Sequence, residues 1–300
     1  MRLRPPRRAW YASLRTAVAA VILLSASACG AATSRLPPTR LPTATLGLPT
    51  APPRLVLQGT TPIGLHGSPQ GCVLGMVRPR PPDVPISSLR GYPGVQGEVA
   101  LTFDDGPSPL YTRPILDELR AAGVHATFFV LGAHARRYPG LVRAERAEGH
   151  AIGNHTYTHL FLPGASLTVV RDQLQRTTAT IVSISGDLCL WLFRPPYGAI
   201  DVGDVAEAHR EGLTTVLWDV QAWDWQRPGS AVIAQRIIAQ LHSGAIILLH
   251  DAAPDNENPD RSQTANALPT ILAALRAHGL RAVTLPQLLR DAGRTGPAQP

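Results

Sequence analysis

The sequence predicts an α/β fold built on parallel strands, and three observations carry that prediction. From about Gln96 onward, short apolar runs alternate with amphipathic stretches, the pattern of strands joined by covering helices. The runs are nearly continuous, as in Ala245-Ile246-Ile247-Leu248-Leu249, which suits a parallel sheet buried on both faces. Neither a glycine fingerprint for a dinucleotide nor a Gly-x-Ser-x-Gly elbow appears among them. A closed or distorted (β/α) barrel of about 200 residues is therefore expected, with a doubly wound sheet as the alternative.

In order, the first strand is Val99–Phe103, which ends abruptly in Asp104-Asp105-Gly106-Pro107. A helix follows around Arg113–Ala122, with Ile115, Leu116 and Leu119 on one face and Gly123 as its stop. Ala126–Leu131 is the next strand and Gly140–Glu148 the next helix. His150–Gly153 reads as a short strand and Leu167–Ser183 as a long helix. Leu188–Phe193 and Thr214–Trp218 are strands separated by a helix at Val205–Glu211. Ser230–His242 is helical, Ala245–Leu249 a strand, and Ala265–Ala277 a helix closed by Gly279. Arg281–Thr284 is the last strand, before a final helix near Pro286–Asp291.

The residues before this alternation have a different texture. Arg2, Arg4, Arg7 and Arg8 precede an apolar stretch, Ala17–Ala28, which is too short to span a bilayer comfortably and reads as an export signal over residues 1–28. It ends in Ala26-Ser27-Ala28-Cys29-Gly30, where small residues before a cysteine resemble a bacterial lipoprotein cleavage site. Cys29 is then the expected lipid-bearing first residue, with simple secretion or a retained anchor as the other outcomes. Residues 29–95 are rich in Pro, Thr and Arg without sustained periodicity, and read as a linker. The catalytic domain is expected over 96–292, with a tail at 293–300. Cys72 and Cys189 lack any metal-site spacing, and sequence does not place them within bonding distance.

Charge narrows the function classes. All 28 basic residues are Arg, which excludes lysine Schiff-base and P-loop chemistry. The net charge of +7 is uneven, because residues 1–95 hold eleven Arg against Asp83 alone, while the remainder is mildly acidic. No basic, aromatic-interleaved surface argues for nucleic acid.

In parallel α/β folds the chemistry collects at the C-terminal ends of the strands, and here five strand ends carry unusual polar groups. They are Asp104-Asp105; Asn154, His155 and His159; Arg194; Asp219, Gln221 and Asp224; and His250-Asp251. Histidines four apart share a face of a helical turn and can chelate one cation. With Asp105 as third ligand the set suits Zn²⁺, and also admits Co, Ni or Mn. A cation at Asp105 leaves Asp104 free to take a proton from water. Arg194 can hold Asp104 ionised, and His250 at a buried strand's end is positioned as a general acid. Tyr197, Trp223 and Trp225 fit an apolar wall or a platform for a sugar ring, with core packing the equal alternative for the two tryptophans. His66, His134, His209, His242 and His278 lack partner spacing and read as surface or packing residues.

Thr102-Phe103-Asp104-Asp105-Gly106-Pro107, His155-Thr156-Tyr157-Thr158-His159, Arg194-Pro195-Pro196-Tyr197-Gly198, Asp224-Trp225 and Leu248-Leu249-His250-Asp251 together closely resemble the NodB-type polysaccharide deacetylases, carbohydrate esterase family four. The resemblance covers about residues 97–290. It implies a distorted (β/α)₇ barrel and metal-dependent hydrolysis of acetyl groups on a glycan. By match, Asp105, His155 and His159 bind the metal, Asp104 is the base, Arg194 orients it, and His250 protonates the leaving amine. The backbone N–H of Tyr197 joins the oxyanion hole, and Trp225 lines the substrate. The substrate expected for an exported enzyme of the cell envelope, acting as a monomer, is peptidoglycan or N-acetylglucosamine oligomers. A non-catalytic glycan-binding or wall-associated protein, and an acetylxylan esterase, are the alternatives. One position departs from the family: Gln221 stands where an Asp commonly keeps the acid histidine charged. A weaker acid is expected from this, with Asp219 or Asp251 as the candidates to compensate.

Overall fold

The computed structural model describes residues 91–294, apart from 93, 187–189 and 255–259. The export signal, Cys29, the linker up to residue 90, Cys72 and Cys189 lie outside the described residues.

Eight parallel strands and eight helices are described. The strands are β1 (Glu98–Asp104), β2 (Thr127–Val130), β3 (Ala151–Asn154), β4 (Leu192–Phe193), β5 (Thr214–Thr215), β6 (Val220–Gln221), β7 (Ile246–His250) and β8 (Arg281–Val283). The helices are α1 (Thr112–Ala122), α2 (Gly132–Arg137), α3 (Pro139–Ala147), α4 (Leu167–Ser185), α5 (Val202–Arg210), α6 (Ser230–Ile238), α7 (Ser262–Ala277) and α8 (Leu285–Arg294). The sheet runs β5-β4-β3-β2-β1-β7-β6, with β8 pairing the first half of β1. No pairing joins β5 to β6 among the described residues, so the sheet is a curled, open barrel with every ladder parallel.

Seven of the eight strands stand where the apolar runs predict them. The two-residue β6 was not expected, and β4 and β5 are shorter than their runs. The extra helix α2 has only Gly132 and Ala135 buried, so it carries no apolar stripe to announce it. The expected stop of α1 holds: Gly123 adopts φ 68° and its N–H donates to the Arg120 carbonyl.

β1 is the organising strand, buried along its whole length. Side chains alternate along it. Val99, Leu101 and Phe103 join the cluster formed with α1, α6 and α7, including Leu119, Ile233 and Leu272. Ala100 faces the other way, with Phe129, Val216 and Ile246. The same alternation puts Thr102 and Asp104 on Ala100's side, inside the curl.

Candidate active site

The C-terminal ends of β1, β3, β4 and β7 converge on one cluster of polar side chains. Asp104 closes β1, level in the ladder with His250 of β7 on one side and Phe129 of β2 on the other. Arg194 follows β4 and is fully buried. Its Nη1 donates to Asp104 Oδ1 at 2.7 Å and to Thr102 Oγ1 at 2.8 Å. Its Nη2 donates to the Leu217 carbonyl at 3.1 Å, and its guanidinium lies 4.1 Å from the centroid of Phe129. A buried cation is costly unless paired and hydrogen-bonded, and here it is both. The pairing holds Asp104 in one orientation.

Asp105, His155 and His159 form a second group, with ligand atoms all within 4.8 Å of one another. Asp105 Oδ1 lies 3.4 Å from His155 Nε2 and 3.3 Å from His159 Nε2. The carbonyl of Arg194 accepts from His155 Nδ1 at 2.7 Å, so the proton sits on Nδ1 and the Nε2 lone pair faces the carboxylate. Asp105 Oδ1 is buried and has no hydrogen-bond partner. Two acceptors that face each other in a desolvated site call for a cation between them, and one carboxylate with two imidazoles suits a divalent first-row metal. Burial pulls His159 down to about 4, against the raising effect of Asp105, so its ring is neutral and ready to ligate near neutral pH.

The two histidines are brought together differently from the helical turn that their spacing suggests. Residues 155–162 form an irregular loop, with Thr156 at φ 67° and His159 at φ 59°. The amide of Asn154 and the side chain of Gln173 tie the loop down: Asn154 Oδ1 accepts from Thr156 N–H at 2.8 Å, and Gln173 Oε1 accepts from the N–H groups of Tyr157 and Thr158, both at 2.9 Å. Helix α2 braces the same loop. Gly132 N–H and Ala133 N–H donate to the carbonyls of Thr156 and Tyr157, each at 3.0 Å. His134 on that helix donates from Nδ1 to the Asp105 carbonyl at 2.8 Å. His134 therefore supports the site rather than serving as surface or packing, and its signal was hidden because the bond is to backbone.

His250, the expected acid, closes β7 on the other side of Asp104. Its Nδ1 donates to Asp224 Oδ1 at 2.8 Å, while Asp224 Oδ2 accepts from His250 N–H at 2.9 Å and from Thr264 Oγ1 at 2.8 Å. Burial disfavours the imidazolium, but the Asp224 charge and hydrogen bond outweigh it and push the pKa up to about 9. The weaker acid expected from Gln221 is therefore not what the geometry gives. Gln221 instead accepts from Trp218 Nε1 at 3.1 Å, and Asp224 supplies the charge. Neither proposed compensator does so. Asp219 accepts from Ile246 N–H at 2.8 Å and pairs with His242 at 3.0 Å. Asp251 accepts from Thr112 Oγ1, and burial pushes it up to about 7. Gly106 packs so closely on the Asp251 carboxylate that a Cβ there would collide with it.

Tyr197 follows Arg194 in a 3-10 turn with φ 61°, and its ring lies 4.5 Å from that of His159. Trp223 and Trp225 are 41% and 52% exposed, so core packing does not account for them. Trp225 adjoins Asp224 in the turn after β6. Cys29, the expected lipid site, lies outside the described residues.

Comparison with known proteins identifies relatives of the chain. A family model described as polysaccharide deacetylase matches residues 92–216. The chain is 39% identical over 195 residues to a chitooligosaccharide deacetylase of Rhizobium leguminosarum bv. trifolii, covering 63% of this chain and 90% of that protein. It is 40% identical over 198 residues to a peptidoglycan-N-acetylglucosamine deacetylase of Bacillus cereus, covering 64% of this chain and 88% of that one. A solved peptidoglycan N-acetylglucosamine deacetylase superposes with a TM-score of 0.62 at 35% identity, over 66% of this chain and 91% of the other.

Proposed function

The chain belongs to the polysaccharide deacetylases of carbohydrate esterase family four, and from that premise we propose that it hydrolyses the N-acetyl groups of an N-acetylglucosamine glycan, peptidoglycan or its oligomers, with Asp104 as base and His250 as acid. The observation that carries the reading is the orphaned, buried Asp105 Oδ1 facing two imidazoles, beside an Asp104 already locked by Arg194. A divalent cation held by Asp105, His155 and His159, Zn²⁺ for preference, would polarise the acetyl carbonyl and make water a better nucleophile.

The chain's own groups then divide the proton work. Asp104 accepts a proton from the attacking water, its other oxygen kept by Arg194. The backbone N–H of Tyr197 donates to the oxygen that gains charge. His250, charged by virtue of Asp224, donates its proton to the leaving nitrogen. The C–N bond breaks, and acetate and the free amino sugar leave. Export through residues 1–28, with lipid on Cys29, would place this chemistry in the cell envelope facing the wall.

Acetate release from chitooligosaccharides and from peptidoglycan, measured on the full chain before chelation, after it and after Zn²⁺ is returned, tests the reading. Release that is lost and then restored is expected. A metal-loaded chain that binds the glycan but frees no acetate would make this a glycan-binding protein. Release from acetylated xylan alone would move the substrate class.

A further inference from the structure

Two aromatic rings beside the metal-ligand cluster stand in solvent without serving the chemistry described above. Phe161 is 55% exposed and Tyr197 65% exposed, and their ring centroids are 6.0 Å apart. Tyr197 in turn packs edge-on against His159 at 4.5 Å, so the pair is continuous with the site. Single exposed apolar residues are ordinary, whereas a contiguous exposed pair at a catalytic cluster marks a binding surface.

The exposure of Phe161 is imposed by an anchored loop. On either side of it, Leu162 is fully buried with Val170, Leu174 and Phe193, and Leu160 packs against the same cluster. Upstream, the Gln173 bonds to Tyr157 and Thr158 fix the chain. The loop therefore holds Phe161 outward at little further entropic cost on binding. No charged residue occurs from Leu160 to Leu167, so the ledge offers nothing to an ionic partner. An uncharged ring with an apolar C–H face is the chemistry that fits.

The topology gives the ledge a direction. β3 and β4 lie to one side of β1, whereas β7 and β6 lie to the other. Phe161 and Tyr197 follow β3 and β4 respectively, while Trp223 and Trp225 follow β6. The exposed aromatics therefore follow strands on opposite sides of β1, which carries Asp104.

We propose that Phe161, with Tyr197, forms a stacking subsite for the neutral sugar ring next to the one being deacetylated, on the β3–β4 side, which makes the enzyme selective for longer oligomers. The inference rests on the glycan-deacetylase reading. It is tested with the Zn²⁺-loaded full chain on single N-acetylglucosamine, which cannot reach the adjacent subsite, and on its hexamer. Loss of one ring–sugar contact is worth about tenfold in affinity, so Phe161→Ala should cut the hexamer-to-monosaccharide ratio of kcat/KM by about tenfold, through KM for the hexamer. Phe161→Trp should keep the ratio. An equal fall at both lengths would assign Phe161 to the support of His159 and overturn the subsite, as would an unchanged ratio. Should the wild-type chain free no acetate at any length, the enzymatic reading falls separately. Calorimetric binding of the hexamer then decides the ledge: weaker binding by Phe161→Ala supports it, and equal binding overturns it.

Discussion

Replacing Asp224 by Asn tests whether a single carboxylate sets the acid. Asp224 uses one oxygen for the His250 ring and the other for the His250 N–H and the Thr264 hydroxyl. An amide in its place removes the charge and leaves its NH₂ facing one of these donors. Burial, which lowers the imidazolium pKa, would then act with little opposition. The His250 pKa should fall from about 9 to the ordinary histidine value of about 6.5 or below, a loss of roughly 3.4 kcal/mol in favour of the charged form. At pH 8 the protonated fraction drops from about 0.9 to about 0.03, so kcat/KM should fall roughly 30-fold from charge alone. At pH 6 most of that loss should return. The assay is acetate release from a chitooligosaccharide between pH 5 and 10, read as the alkaline limb of kcat/KM. Linkage gives a second reading. A histidine whose folded pKa is raised stabilises the fold fully below its unfolded value and loses that contribution as pH rises through the folded one. The wild type should therefore lose thermal stability between about pH 6.5 and 9 more steeply than the Asn variant. An alkaline limb that stays near 9 in Asp224→Asn would refute the argument.

Three further outcomes follow from the same contacts. Asp104→Asn should retain bound metal while kcat falls at least 100-fold, on the scale of a lost general base, whereas His155→Ala should lose both; metal content and turnover measured on one preparation separate the two. His134→Ala removes the donor to the Asp105 carbonyl and should weaken metal affinity by about tenfold or more, the usual effect of losing a group that orients a ligand, as read by competition with a chromophoric chelator. Glu145 is buried on α3 with neither carboxylate oxygen bonded, and burial, then the Asp251 charge, raises its pKa well above 4.5. Its contribution is fully present below pH 4.5 and is lost as pH rises through the folded value, so Glu145→Gln should raise the melting temperature at neutral pH and converge with wild type in acid.

The parts of this molecule that were legible in the sequence are those written in side-chain pattern. Apolar runs located the strands because burial on both faces demands them, and the acids and histidines at their ends identified the cluster. What escaped were contacts made through backbone. α2 has a buried face of only Gly132 and Ala135, yet its N–H groups and His134 fix the segments that carry Asp105, His155 and His159. The spacing of His155 and His159 suggested a helical turn, while the chain reaches the same chelating geometry with two left-handed residues. Asp224 was visible as part of a motif. That it partners His250 depends on how the turn after β6 folds back on β7, which no local pattern records. Gln221, the position that departs from the family, proves to be occupied with Trp218 instead.

The division of labour between the two adjacent carboxylates comes down to one backbone angle. Along β1 the side chains alternate, so Ala100, Thr102 and Asp104 share the inner face. Asp104 is thereby level with His250 on the neighbouring strand, so the ladder itself sets the proposed base beside the proposed acid. Continued alternation would send Asp105 to the outer face, among the side chains under the helices, where a carboxylate has no compensation. At Asp105 the chain instead turns to φ 76°, a conformation that costs a residue with a Cβ about 1–2 kcal/mol. That turn returns the Asp105 carboxylate to the inner side, facing His155 and His159. Its surroundings hold the angle in place: His134 takes the Asp105 carbonyl, Leu131 N–H takes that of Gly106, and Gly106 fits against Asp251 only because it lacks a Cβ. The roles of the pair are therefore not interchangeable. The residue still in the strand is held by Arg194 and reaches only His155, from 3.8 Å, while the residue just past it faces both imidazoles at 3.3–3.4 Å.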